Sequence, residues 1–208
     1  MVHKSPSTTL PAVPDLPVVQ PPELTERADA ARNRQKILCS ARRLIEERGL
    51  ENVSMDDIAQ HAGVGKGTLF RRFGDRASLA HALLDATETA FQEELIRGEP
   101  PLGPGAPPCE RVIAFGEAMI DLCVDRRDLM AEVQAGPRWL RTSIYSGYRA
   151  HLSYLVAMAA PEQDAEFVAD TLLGVLRADL VNHLVADRGM DTQRLKDGFR
   201  ALATTLLS

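Results

Sequence analysis

The sequence predicts an all-α protein: an N-terminal three-helix domain holding a helix-turn-helix, followed by a C-terminal helical bundle. Three observations predict it. From Ala30 onward, apolar residues recur three and four positions apart, and no stretch alternates as a half-buried strand does. Gly and Pro clusters fall between the periodic stretches. Within residues 54–73, two helical patterns meet across Ala62-Gly63-Val64, the spacing of a helix-turn-helix.

The 208 residues are 45% apolar and 25% charged, which excludes a wholly disordered chain. No apolar run reaches the ~18 residues of a membrane span, and the first residues lack the apolar core of a secretory signal. Cys39, Cys109 and Cys123 form no C-x-x-C and no even framework, so neither disulfide staples nor a structural zinc site is expected. The net charge of -5 argues against a nucleic-acid partner. Its distribution argues the other way, because residues 30–76 carry ten basic against six acidic side chains while residues 77–208 are strongly acidic. One basic segment on an acidic remainder suits an anionic partner that meets one part of the chain.

Residues 1–29 hold six prolines and no apolar period, so a disordered arm, partly polyproline, is expected there. The first helix begins at Ala30, buries Ile37, Leu38, Ala41, Leu44 and Ile45, and ends before Gly49. The second opens at Ser54, with Asp57 three residues on as in a capping box, and stops at Gly63. A short third helix spans Lys66 to Phe73, with Leu69 and Phe73 on one face. A fourth runs from Arg76 to about Ile96. Residues 98–108 form a Pro- and Gly-rich loop. Four later periodic stretches follow: Val112 to Val124; Trp139 to Leu155 beyond Gly136-Pro137; Phe167 to Leu184 opened by Pro161; and Leu195 to Leu206 after an Asp191 N-cap. The domains so read are 1–29, 30–76 and 77–208.

The helix-turn-helix carries the functional expectation. Ala59 is small enough for close approach of the two helices, and Gly63 can take the positive φ of a sharp turn. Val64 and Leu69 anchor the second helix, which leaves Lys66, Gly67, Thr68 and Arg71 facing outward. The major groove of DNA admits one helix, and Arg, Lys and Thr address phosphates and base edges. A single module offers a small footprint, so dimers reading two half-sites ~34–36 Å apart are the usual solution.

Val53-Ser54-Met55-Asp56-Asp57-Ile58-Ala59, Ala62 through Phe73, then Arg76 and Leu79, resemble the tetracycline-repressor (TetR) family of one-component regulators. The resemblance is close over about residues 32–86 and extends beyond only in length, helical pattern and the loop after the fourth helix. It implies a DNA surface of Ser54, Lys66, Gly67, Thr68, Phe70, Arg71, Arg72 and Arg76. Phe70 stands where the family often has a phosphate-binding Tyr, so that hydroxyl contact is absent. Arg76 stands where a Lys usually binds phosphate, and Arg serves that purpose as well. Gly65 replaces the usual Ser cap of the recognition helix at small cost.

The resemblance further implies a homodimer through the two C-terminal helices, with Leu172, Val175, Leu176, Leu195, Phe199 and Leu202 shared between core and interface. It also implies a pocket for an unidentified small apolar effector. Its candidate lining is Phe115, Met119, Cys123, Met130, Trp139, Tyr145, Tyr148, His151, Leu176 and Asp179, with His151 hydrogen-bonding Asp179. The function so implied is a cytoplasmic, nucleoid-associated regulator, a repressor released from a palindromic operator on double-stranded DNA by that effector, with no other cofactor and no membrane partner.

An enzyme is not expected. Gly63-Val64-Gly65-Lys66-Gly67-Thr68 lacks the Walker spacing, no cluster has metal-ligand spacing, and Cys123 with His151 lacks an orienting third group. The alternative is a helical scaffold with a degenerate DNA-binding motif. The basic set Lys66, Thr68, Arg71 and Arg76 discriminates, since a scaffold has no need of it.

Overall fold

The computed structural model describes residues 22–208, so the expected arm over 1–21 lies outside the described residues. Among the described residues, 22–35 belong to one unit and are helical, and Arg32 pairs with Asp29 there. The first helix, α1 (Pro22–Arg48), thus begins eight residues before the expected start at Ala30, and residues 22–29 are helix, not arm. A helix gains one hydrogen bond for each residue added to it, so extension can run past the last apolar position that reveals it in sequence.

Lys36–Ser208 is the second unit. After a single 3₁₀ turn (Leu50–Asn52) come α2 (Met55–Ala62), α3 (Lys66–Phe73) and α4 (Arg76–Arg97). Then follow α5 (Pro108–Asp125), α6 (Arg127–Val133), a 3₁₀ turn (Trp139–Arg141) and α7 (Ser143–Ala159). The chain ends with α8 (Ala165–Val175), α9 (Ala178–Asn182), a π-helical turn (His183–Asp187) and α10 (Thr192–Leu206). All described regular structure is helical.

Two apolar cores organise these helices. The smaller gathers Ile37, Ala41 and Leu44 of α1, Ile58, Ala59 and Ala62 of α2, Leu69 and Phe73 of α3, and Leu79 and Leu83 of α4. The larger gathers α5 to α10 and also takes Ala80, Leu84 and Leu95 from α4. Successive faces of α4 therefore serve both cores, and the boundary expected at 76/77 falls in the first turn of a shared helix.

Three stretches depart from the sequence reading. Trp139 and Leu140 sit in a 3₁₀ turn, because Thr142 starts α7 by accepting from the Tyr145 N–H at 3.2 Å. Asp164, not Pro161, marks the start of α8, its carboxylate accepting from the Phe167 N–H at 3.1 Å. The stretch to Leu184 is also broken. Gln134, buried from the end of α6, accepts from the Ala178 N–H at 2.7 Å and supplies the bond an unbroken helix would have made internally.

The last helix seats on α5 where Gly116 faces the ring of Phe199, and a Cβ at Gly116 would overlap that ring. Lys196–Asp121 at 2.6 Å and Arg200–Glu117 flank the contact. Gly116→Ala is expected to destabilise the protein by about 1–3 kcal/mol, the range for overpacking a filled core. Urea denaturation measures it, and a change below about 0.5 kcal/mol would show that the helices part freely there.

Candidate functional site

The helix-turn-helix is held from both ends of α2. At its start the Ser54 hydroxyl accepts from the Asp57 N–H at 3.1 Å, while the Ser54 N–H donates back to Asp57 Oδ2 at 2.9 Å. The Ser54 hydroxyl also donates to that carboxylate at 2.5 Å, and these bonds hold the Asp57 pKa below its ordinary value. Ser54 is thus a cap whose hydroxyl is already engaged. At the far end Gly63 takes φ 61°, and the Gly63 and Val64 N–H groups close onto Gln60 and Ala59 carbonyls. That turn delivers α3 with Leu69 and Phe73 buried and Lys66, Gly67, Phe70, Arg71 and Arg72 exposed; Thr68 is half-buried.

Lys66 pairs with Asp56 across the two helices. A Cβ placed on Gly67 would meet no atom within 4 Å, so nothing in the protein's own packing requires a glycine there. Gly65 caps α3 without a side-chain bond, which leaves the first N–H groups of α3 facing outward without a side-chain acceptor.

Arg76 is placed differently from the expectation of a phosphate ligand. Its guanidinium donates to the Val53 carbonyl at 2.7 Å, the Leu50 carbonyl at 2.5 Å and Glu132 Oε2 at 3.0 Å. Three of its N–H donors are thus engaged within the protein, tying the loop before α2 to α6. Beside it, Asp75 caps α4 through the Ser78 N–H at 2.8 Å and pairs with Arg138 at 2.5 Å. Those bonds, the Ser78 cap first, lower the Asp75 pKa.

The expected effector residues are only partly brought together. Phe115, Met119, Cys123, Met130, Trp139, Tyr148 and Leu176 are buried in the larger core. The rings of Phe91, Phe115 and Tyr148 meet pairwise at 5.5–5.7 Å and fill its centre. Cys123 donates to the Leu176 carbonyl at 3.7 Å, and burial pushes its thiol to about 12, which removes it as a nucleophile. Tyr145 is half-buried and donates to Asp170 at 2.6 Å. The expected His151–Asp179 bond is not made. Asp179 is exposed at the start of α9 and held by Arg177 at 2.7 Å, while the Nε2 of His151 has no partner.

Several hollows adjoin this core, and two of them bear on the expected sites. One, of about 280 Å³, lies between α4 and α7, lined by Gln92, Leu95, Ile96, Ile144, Tyr148 and His151 among others. The other, also about 280 Å³, is an apolar groove in which Val175 and Leu176 face Leu195, Phe199 and Leu202. Among the described residues no group of His, Cys, Asp or Glu is placed to hold a metal, and no helix is long and apolar enough to cross a membrane.

Sequence reasoning missed Glu88. It is 6% exposed, accepts no hydrogen bond among the described residues, and has His81 Nε2 at 3.7 Å. Burial, and then Asp85, raise its pKa to about 7. A signal was present, since Leu84, Glu88, Phe91 and Leu95 share one helical face and the acid sits at a core position. Glu132 and Gln134 were missed as well, for want of any local pattern.

Residues 37–83, which hold this helix-turn-helix, match the family model described as bacterial regulatory proteins, tetR family. An HTH-type transcriptional regulator of Staphylococcus aureus (strain USA300) is 45% identical over 58 residues, which is 28% of this chain and 31% of that protein. The matched stretch thus spans about a third of the length of that curated relative. The structure of a TetR-like transcriptional regulator from Rhodococcus sp. RHA1 is similar at TM-score 0.54 and 23% identity, covering 83% of this chain and 93% of that one. FadR from Bacillus subtilis, solved in complex with stearoyl-CoA, is similar at TM-score 0.57 and 19% identity, covering 84% and 97%. The match to the tetR-family model is thus confined to residues 37–83, and the all-helical fold is similar to that of solved TetR-family regulators.

The contacts of Arg76 and Glu88 set two expected outcomes. Arg76→Ala strands the Val53 carbonyl and Glu132 and leaves the Leu50 carbonyl only its bond from the Val53 N–H, and should cost about 1–3 kcal/mol in chemical denaturation; Arg76→Lys should restore only part, because an ammonium lacks the planar fork. Glu88 sets a pH dependence. Its folded pKa of about 7 exceeds its ordinary 4.5, so the native state holds a proton that the unfolded chain releases between those values. Stability therefore falls as pH rises through that window, by up to about 3 kcal/mol. Urea unfolding of wild type and Glu88→Gln from pH 4.5 to 7.5 should show that fall in the first and its loss in the second.

Proposed function

We propose that this protein is a DNA-binding transcriptional regulator, a repressor that holds a palindromic operator as a homodimer and is released by a small molecule. The observation that carries the reading is the outward face of α3. Lys66, Gly67, Arg71 and Arg72 lie exposed on a short helix whose other face is buried and whose orientation is set by the Ser54 cap and the Gly63 turn. Such a helix fits the major groove, with Arg71 and Arg72 supplying charge and Gly67 letting backbone come near the duplex. The free N–H groups at the start of α3 suit a phosphate.

The dimer is proposed through α8 and α10, where Val175, Leu176, Leu195, Phe199 and Leu202 line an apolar groove that a second copy would cover. Two modules are then spaced for half-sites one turn apart, ~34–36 Å. The effector is assigned to the α5–α10 domain, and stearoyl-CoA in the similar Bacillus subtilis FadR supports a ligand-binding role for a domain of this fold. Arg76 and Arg138 connect α6 and the 139–141 turn to the loop and cap beside the helix-turn-helix, so a ligand that shifts α6 acts on the DNA-binding module. Only a ligand with different affinities for the two arrangements can move that equilibrium. The reading places the protein in the cytoplasm, on chromosomal DNA.

Selection of random duplex DNA on the purified protein, followed by binding at several salt concentrations, tests this. A two-fold-symmetric site with affinity falling steeply as salt rises is expected. Arg71→Ala should weaken binding and reduce the salt slope by about 1 if it meets a phosphate. Gly67→Leu should leave stability within about 0.5 kcal/mol yet abolish site-specific binding. Recovery of no symmetric site would overturn the proposal.

A further inference from the structure

Among the described residues, four buried side-chain polar atoms have no hydrogen-bond partner: Arg111 Nε, Tyr148 Oη, His151 Nε2 and Ser153 Oγ. Native interiors pair such atoms almost without exception, so several of them in one place call for an explanation. Three of the four gather at the α4–α7 cleft. Tyr148 and His151 line it. Arg111 adjoins it, since a second nitrogen of its guanidinium donates to the carbonyl of Leu95, another lining residue, at 3.0 Å. Arg111 and Phe115, four positions apart, share a face of α5. The ring of Phe115 lies 5.5 Å from that of Tyr148 and 6.2 Å from that of His151, which draws the three polar groups together from a second side.

Their chemistry selects what they can hold. A guanidinium only donates, and its charge does not vary. Arg111 pairs with no carboxylate among the described residues, so its charge has no counter-ion there. Burial, with Glu88 second, raises the Tyr148 pKa, so the hydroxyl keeps its proton. Burial, and then Arg111, lower the pKa of His151, so near neutral pH its ring is uncharged and holds one N–H. Donors beside a fixed positive charge in an apolar setting select an acceptor that carries negative charge. The opposing charge is Glu88, two helical turns or ~10 Å along α4 from Leu95. Glu88 is not among the residues that line the cleft, it has His81 Nε2 at 3.7 Å, and its pKa of about 7 leaves it largely protonated at pH 6.5. The remaining walls, Leu95, Ile96 and Ile144, are apolar. The cleft holds about 280 Å³. That is the low end for ligand pockets, ~300–1,000 Å³, so the apolar body is short.

We infer that the α4–α7 cleft binds a carboxylate on a short apolar body, with Tyr148 and His151 donating to its oxygens and Arg111 supplying the counter-charge. This rests on the effector reading above and names the class of ligand. It also gives the unpaired donors a role, because a bound carboxylate accepts from atoms that otherwise forfeit their hydrogen bonds.

Isothermal titration calorimetry of the full chain at pH 6.5 tests it with hexanoate, 1-hexanol and hexyltrimethylammonium, three heads on one body. Hexanoate is ionised there. It should bind about tenfold or more tightly than the alcohol, with the ammonium weakest. Arg111→Met should remove that margin and leave the alcohol unchanged. Tyr148→Phe should weaken hexanoate about tenfold while Tm holds or rises, because the hydroxyl it removes bonds nothing in the free protein. Alcohol or ammonium binding as tightly as hexanoate would overturn the carboxylate assignment and leave the effector reading standing. Hexanoate binding indifferent to Arg111→Met would overturn the counter-charge, and binding indifferent to Tyr148→Phe would overturn the location. Binding by none of the probes would overturn the site; if a small-molecule cell extract still released the selected operator, the effector reading would survive, and if not, both would fall.

Discussion

The guanidinium of Arg76 is the contact on which the relation between the two cores depends. It occupies the first turn of α4, the helix whose successive faces enter both cores, and donates to two carbonyls of the loop before α2 and to Glu132 of α6. The Leu50 carbonyl accepts one bond from the Val53 N–H within its own turn, and Arg76 supplies its second bond as well as the bond to the Val53 carbonyl. Drawing them from one planar fork fixes the approach to the Ser54 cap relative to α6. The orientation of α3 is inherited from that arrangement, through the capping box and the Gly63 turn.

The larger core obeys a different constraint. Phe91, Phe115 and Tyr148 fill its middle, and Gly116 lets Phe199 close one side. Filling is not uniform, however. The groove between the α8–α9 region and α10 remains apolar and open, and the α4–α7 cleft stops against polar groups without partners. Close packing leaves few voids in proteins without a reason. The groove has the composition of a surface to be covered and suits a second copy of the chain.

The N-terminal module was legible because its determinants are local. Ser54 and Asp57 satisfy each other across one helical turn, Gly63 supplies the left-handed turn residue, and Leu69 with Phe73 marks the buried side of α3. The bounds of α3, Lys66–Phe73, emerged as read. The later helices were legible as periodic stretches but not in their breaks. The interruption at Leu176-Arg177 answers to Gln134, forty-four positions away from Ala178, and no local pattern announces it.

The helical class, the caps and turn of the helix-turn-helix, and the outward placing of Lys66, Gly67 and Arg71 were already written in the order of residues, because all are consequences of contacts within a few positions; Thr68, read as outward with them, is half-buried. Long-range packing settled the rest: that Arg76 ties the loop before α2 to α6, that Gln134 takes up the Ala178 N–H, and that Glu88 is buried. Each of those depends on contacts between segments far apart in the sequence. Burial and pairing are properties of the packed whole, and side-chain identity alone does not carry them.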